Sequence, residues 1–424
     1  MFFNTFTMPI ENERGDIMNM ICIDIGRNKT EVARIKEIQG RYEVARIFSQ
    51  KTEQKIVTQI VLTNEQMHAL KGNKTPSFSL LSKLGEISIG NYLPMSVENG
   101  EKFIYFKVSP KDFDKVCANT EIGKACGITH GMVMACYAYA LTVNIFKYNV
   151  GDCDESDRAK TELLVGCPTT ADWTSNSAKE KYAQLIKNAT GVNLVRIIES
   201  NIAIFANIEN KDSGTLLFDF GESTADFIYM HDCKKVIGFS WDLGASEIER
   251  SMARLAYMEM QQVQGFVLEP SSFVRLENDL RYVKECFYDG FYDCDGHDMI
   301  CSFKTIDQKT KKHIITIDND FMGKVVNGDE IHIKCGDHSS RTGTWFILCK
   351  EFFENAKDTL NARSLSINRI IITGGASKMG FVYDLCCEVF KGFPEAHILI
   401  DPDASVSIAK GLGLFAISEQ NVSL

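Results

Sequence analysis

The apolar positions of this chain gather in short runs that take turns with stretches of helical spacing. "MICIDIG" (Met20 to Gly26) reads as a strand running into a turn, and "EVARIKEI" and "RYEVARIF" continue as strands, which predicts a meander. "SAKEKYAQLIKNATG" changes to helical spacing and stops at Gly191; the strand "NLVRIIES" and the apolar helix "NIAIFANI" follow. "TLLFDFGESTADFIYM" (Thr215 to Met230) reads as two strands about a polar turn. "KKVIGFSWDLGASEIERSMARLAYMEM" and "SINRIIITGGASKMGFVYDLCCEVF" each read as strand, glycine turn and helix. Strands alternating with helices in this way predict an α/β fold.

One stretch of the pattern repeats. "MICIDIGRNKTEVARI" and "TLLFDFGESTADFIYM" share a plan of apolar strand, Asp, one apolar residue, Gly, polar turn and apolar strand. Each heads roughly half of a chain whose 424 residues exceed what one hydrophobic core usually covers. Two similar lobes are therefore expected.

Composition narrows the functions. The net charge of −10 opposes binding to nucleic acid or anionic lipid, so neither is expected as a partner. The short basic run "KTKKH" (Lys309 to His313) reads as a solvated loop. "GMVMACYAYALTVNIF" (Gly131 to Phe146) is shorter than the ~20 residues of a bilayer span and contains Thr142 and Asn144, which predicts a helix buried between layers. Fourteen scattered cysteines, with no C-x-x-C pair and no leader, fit free thiols in a reducing cytoplasm. Cys294, His297, Cys301, Cys335 and His338 match no common zinc spacing. Residues 1–17 read as a flexible extension.

The repeated turn breaks a local rule, because Asp and Gly are depleted in strand interiors. A hairpin turn carrying Gly and hydroxyl residues presents N–H and O–H donors to phosphate oxygens. An Asp facing the same concavity needs a cation between, and Mg²⁺ is typically held through one or two carboxylates plus phosphates. Asp24 and Asp219 therefore read as carboxylates around a Mg²⁺-nucleotide, with local turn capping as the plainer alternative. The P-loop and G-x-G-x-x-G signatures are missing, while "ITGGASKMG" (Ile372 to Gly380) offers a glycine turn that lets backbone approach a flat ligand.

In order, "CIDIG", "LLVGCPTTADW", "RIIESNIAIFAN", "LLFDFGESTADF", "DLGASEIE", "IIITGGASKMG" and "DPDASVSIAKGLGLFA" resemble segments of the nucleotide-binding domain of DnaK-type heat-shock chaperones, in the actin-like ATPase superfamily. "TPSFSLLSKLGEISIGNYL" is similar to the chaperone segment in the first small subdomain. The resemblance spans about Met20 to Ile417. It implies a two-lobed actin-like ATPase fold, of duplicated ribonuclease-H-like lobes with added small subdomains and a central nucleotide cleft. Lobe I would cover 18–209 (small subdomain 48–128) and lobe II 210–402 (small subdomain 249–345), with a helix at 403–424 returning to lobe I.

The resemblance also implies ATP or ADP with Mg²⁺ as cofactors. Asp24, Glu199 and Asp219 would surround the metal through water, with Lys107 near the γ-phosphate. Gly26, Arg27 and Asn28 would form the first phosphate turn, and Gly221, Glu222, Ser223 and Thr224 the second. Gly374, Gly375 and Ser377 would pass beneath the adenosine, and Lys284 would lie against ribose and base.

Departures from the family temper this. Arg27 and Asn28 stand where the chaperones have two threonines, Glu222 replaces a second glycine, and Arg281 and Glu285 reverse the family's charges. Losing one donor at a reacting centre costs on the order of 3 kcal/mol, so binding can outlast hydrolysis. No segment matches a peptide-binding domain or lid. The expected function is a slow cytoplasmic Mg-ATPase or nucleotide-dependent switch, whose protein partner reads the elaborated Asp289 to Gly343 region. The alternatives are an actin-like filament former with self-association, a pseudo-ATPase scaffold, and a small-molecule kinase using Asp172 as base.

Overall fold

The computed structural model describes residues 19–27, 29–38, 41–46, 56–90, 93, 99–147, 158, 160–207, 214–231, 234–264, 267–268, 270–288, 297–307, 309–336, 339–402, 404 and 407–422. The extension at 1–17, Asn28, Cys294 and His338 lie outside them. The chain divides into two compact units, Met1–Glu209 with Val406–Leu424, and Asn210–Ser405.

In the first unit, strands β1 (Asn19–Ile25), β2 (Lys29–Ile38) and β3 (Arg41–Arg46) form the meander. The short β4 (Ile56–Val57) pairs with β2, and β5 (Gln59–Thr63), β6 (Ser88–Ile89) and β7 (Gly100–Ile104) form a separate three-stranded sheet. Two parallel strands, β8 (Thr161–Cys167) and β9 (Leu194–Glu199), complete the main sheet in the order β3-β2-β1-β8-β9.

The alternation along β1 decides what covers each face. Ile21, Ile23 and Ile25 pack into a core with the His130–Ile145 and Asn176–Thr190 helices. Met20 and Cys22 pack on the other side with Ala203, Leu412 and Ala416, from the Ser200–Ala206 and Ser407–Val422 helices. The last two helices touch so closely that a Cβ on Gly411 would stand 1.8 Å from the Ala203 carbonyl oxygen. The His130–Ile145 helix is buried on nearly all sides. Its Tyr137 hydroxyl donates to Thr30 Oγ1 at 2.8 Å, fixing β2 beneath it.

The second unit repeats the sheet plan. Strands β10 (Thr215–Phe220), β11 (Ala225–His231) and β12 (Lys234–Trp241) form its meander. Two hairpins follow, β13 (His297–Lys304) with β14 (Thr310–Ile317) and β15 (Ile331–Lys334) with β16 (Ser340–Gly343). Parallel strands β17 (Arg369–Thr373) and β18 (His397–Ile400) give the order β12-β11-β10-β17-β18. Its core is aromatic: the Phe218 and Phe353 rings meet edge-on at 4.8 Å, and Phe220, Phe352 and Phe390 join them.

"KTKKH" is not a loop beyond its first residue. Thr310 to His313 belong to β14, because the same strand buries Ile315 and Ile317 and pairs residue for residue with β13. No helix among the described residues is long and apolar enough to cross a membrane.

Candidate functional site

The two polar turns are built alike. In the first, Gly26 N–H donates to Lys29 O at 2.8 Å, and Asp24 lies opposite Glu31 in the β1–β2 register. In the second, Gly221 N–H donates to Thr224 O at 2.9 Å, and Asp219 lies opposite Asp226. Each Asp also meets a glycine of the parallel neighbour. A Cβ on Gly166 of β8 would stand 3.1 Å from Asp24 Oδ1, and one on Gly374 would stand 2.4 Å from Asp219 Oδ1 and from the Phe220 carbonyl oxygen. Gly374 has φ +83°, so its place requires glycine twice over. Both aspartates lie near the carboxyl ends of parallel strands, where open α/β sheets bind ligands.

The first unit gathers further charges there. Surrounding apolar strands push the Asp24 carboxyl above its usual range, and the Lys107 ammonium pulls it back. Lys107 lies over the Trp173 ring at 5.4 Å. Glu199 ends β9 in register with Cys167 and forms an ion pair with Lys179 at 2.9 Å. Burial drives the Cys167 thiol up to about 12, with Lys107 and Lys179 opposing and Glu199 and Asp24 assisting. Tyr182, fully buried beside this group, has a hydroxyl with no hydrogen-bond partner among the described residues. Arg27 stacks on Tyr105 at 4.8 Å.

The second unit ties its turn to a helix start. Ala245 and Ser246 N–H groups donate to the carbonyls of Gly221 and Glu222 at 3.1 and 3.0 Å, where the Ser246–Gln264 helix begins. Gly244 makes this possible: its Cβ would stand 2.0 Å from the Glu222 oxygen. With those carbonyls engaged, the turn's tip is left to offer donors to a ligand, including the exposed Ser223 hydroxyl. Thr224 is committed elsewhere, because its hydroxyl donates to Asp226 Oδ2 at 2.8 Å.

Two residues read as adenosine contacts also make internal bonds. Ser377 is fully buried and donates to Gly374 O at 2.7 Å, which shapes the glycine turn. Gly375, next in the turn, has open space where a Cβ would be. Lys284 bonds Glu249 Oε1 at 2.7 Å while Arg281 bonds Oε2 at 2.9 Å, all three buried. Burial alone would raise the Glu249 carboxyl; the two cations outweigh it and hold it below its usual range. The reversed sign at Arg281 thus makes sense as one arm of this triad.

Of the residues proposed to surround a metal, Asp24 and Glu199 belong to the first unit and Asp219 to the second. No group of three or more His, Cys, Asp or Glu side chains that could hold a metal occurs among the described residues. Isolated carboxylates still suit Mg²⁺, a hard cation that keeps most of its waters. Asp172 is ion-paired with Lys111 on an exposed surface and touches none of these groups. The sequence reading missed Gly166, Gly244, Lys179 and Tyr182. The two glycines were findable, since a glycine inside an apolar strand or before a helix signals close backbone approach.

No protein-family model matches the chain, and no curated protein matches it in sequence. Its fold is similar to the crystal structure of MreB 5 of Spiroplasma citri bound to AMPPNP, with a TM-score of 0.58 and 13% identity over 96% of this chain and 99% of that one. At that identity the likeness is one of fold, and it establishes the fold of the actin-like ATPases for this chain.

Proposed function

We propose that the chain is an actin-like ATP-binding protein whose Asp turns, one in each unit, are phosphate-side groups for an adenine nucleotide. The observation that carries this reading is the pair of matching turns, each at the same place in an identically ordered sheet and each with a glycine set against its Asp. In this reading Asp24, Gly26 and Arg27 form one phosphate-side group, and Asp219, Gly221, Glu222 and Ser223 the other. Asn28, outside the described residues, belongs to the first by position. Lys107 stabilises phosphate charge. Gly374 and Gly375 supply flat backbone for the nucleoside. Mg²⁺ held through water at a turn carboxylate, Asp219 or Asp24, would screen phosphate charge from it.

Nucleotide-dependent self-association is the output we favour, since the fold likeness is to MreB 5. A chaperone-like switch is the second reading, supported by the order of the sequence segments that ends in "DPDASVSIAKG". In that case the β13–β14 region is the partner surface. A cytoplasmic setting goes with either, supported by ten described cysteines that are all free thiols.

Calorimetric titration with ATP, with and without Mg²⁺, tests the binding step. Saturable binding that needs Mg²⁺ and weakens in Asp219→Asn is expected; absence of heat and of thermal stabilisation would overturn it. Light scattering after ATP addition then separates the outputs. Growth of large particles supports self-association, and a lasting monomer signal supports the switch.

A further inference from the structure

The Lys179–Glu199 pair breaks a local rule. Lys179 lies in the first turns of the Asn176–Thr190 helix, where the partial positive charge of the helix start disfavours a cation. Glu199 is the N-cap of the Ser200–Ala206 helix, yet its side chain makes no capping hydrogen bond. The two side chains turn to each other at 2.9 Å, with 28% and 17% of the side chains exposed, so the pair is partly withdrawn from solvent.

We infer that Lys179 is the resident counter-ion of Glu199 and removes this carboxylate from the set that holds a divalent cation. The inference rests on the nucleotide reading above for its setting, and it reverses the role that the sequence resemblance implied for Glu199. An ammonium in hydrogen-bond contact uses a lone pair of Oε1 and repels a dication approaching the same carboxylate. Water-mediated coordination does not escape this, because the repulsion acts across a water layer in a partly buried place. The metal that accompanies a nucleotide is held without Glu199.

The test is Mn²⁺ binding, followed by its electron paramagnetic resonance signal, to the full chain with and without ATP. Glu199→Gln is expected to bind Mn²⁺ as the unaltered protein does, within about twofold, whereas Lys179→Met frees a carboxylate and binds about tenfold tighter without nucleotide. The double variant, Lys179→Met with Glu199→Gln, returns to the starting affinity. Failure of Lys179→Met to tighten binding overturns the inference, as does a loss of about tenfold in Glu199→Gln. If ATP binds to no variant, the nucleotide reading fails while the metal-only titration still decides the role of Lys179. Circular dichroism of the Glu199→Gln and Lys179→Met proteins confirms that each comparison is between folded chains.

Discussion

The turn after β1 and the turn after β10 share a hydrogen bond, a register and a glycine on the parallel neighbour, but their surroundings differ. The first is served by lysines from distant elements, Lys107 and Lys179, which balance Asp24 and Glu199. The second is braced by the start of a helix, through Gly244 and the N–H groups of Ala245 and Ser246. The backbone plan is common to both, and the electrostatics are specific to each. A duplicated fold can therefore carry two halves with different work, one with lysines set beside its acids and one with a turn braced by backbone donors.

The sharpest way to break the comparison is at the two glycines. Gly374→Ala places a Cβ 2.4 Å from Asp219 Oδ1 at a φ of +83°, whereas Gly166→Ala meets Asp24 at 3.1 Å with no such backbone demand. Combined overpacking and left-handed strain should cost about 3–5 kcal/mol at Gly374, against about 1 kcal/mol at Gly166. Urea denaturation of the two variants measures this, and equal losses would show that the turns are not held in different ways.

Charge gives the next test. Glu249→Ala removes the buried carboxylate that Arg281 and Lys284 share, and breaking a buried ion pair from one side costs about 3 kcal/mol. The pH dependence follows from the sign of the shift. Glu249 is held below its usual range in the folded chain. Its contribution is present above the unfolded value of about 4.3 and is lost as pH falls through the lower folded value. The variant should therefore show a flatter acid limb in a plot of melting temperature against pH.

Asp24 carries the opposite sign. Its carboxyl is raised in the folded chain, so ionisation at neutral pH opposes folding, and the penalty lifts as pH falls through the folded value toward the unfolded one. Asp24→Asn should raise the melting temperature at pH 7, by about 2–4 °C for each kcal/mol relieved, while weakening ATP binding. A lower melting temperature would mean that Lys107 already outweighs burial. The smallest effect is expected at Thr224→Val, which removes one hydrogen bond to Asp226 and about 1 kcal/mol, with little change in nucleotide affinity. A large loss of affinity there would return Thr224 to the phosphate-binding set.

Much of the fold was legible. The apolar runs around Ile23 and Phe218 lie on strands, "SAKEKYAQLIKNATG" ends at Gly191 in the left-handed conformation, and the echo of Asp-x-Gly marks two turns of the same construction. Asp226 accepts the Thr224 hydroxyl and so anchors its strand locally. Lys284 and Ser377 have internal partners that the sequence did not announce, because a motif assigns a position and only packing assigns a partner. A buried carboxylate on a neighbouring helix claims Lys284, and a carbonyl claims Ser377. Thr310 to His313 looked like a loop by composition and are indeed largely exposed, but strand pairing depends on the far side of the ladder, which a local window does not contain.

The sequence by itself determined the alternation of strands and helices, the duplicated Asp-Gly turns and the burial of the apolar helix at His130–Ile145, since these depend on residues close together in the chain. The tertiary structure decided which cation faces which acid: Lys179 with Glu199, Lys107 beside Asp24, and Arg281 with Lys284 around Glu249. Charge pairing acts over a few ångströms in space and has no period along the chain, so it becomes readable only when folding has brought the partners together.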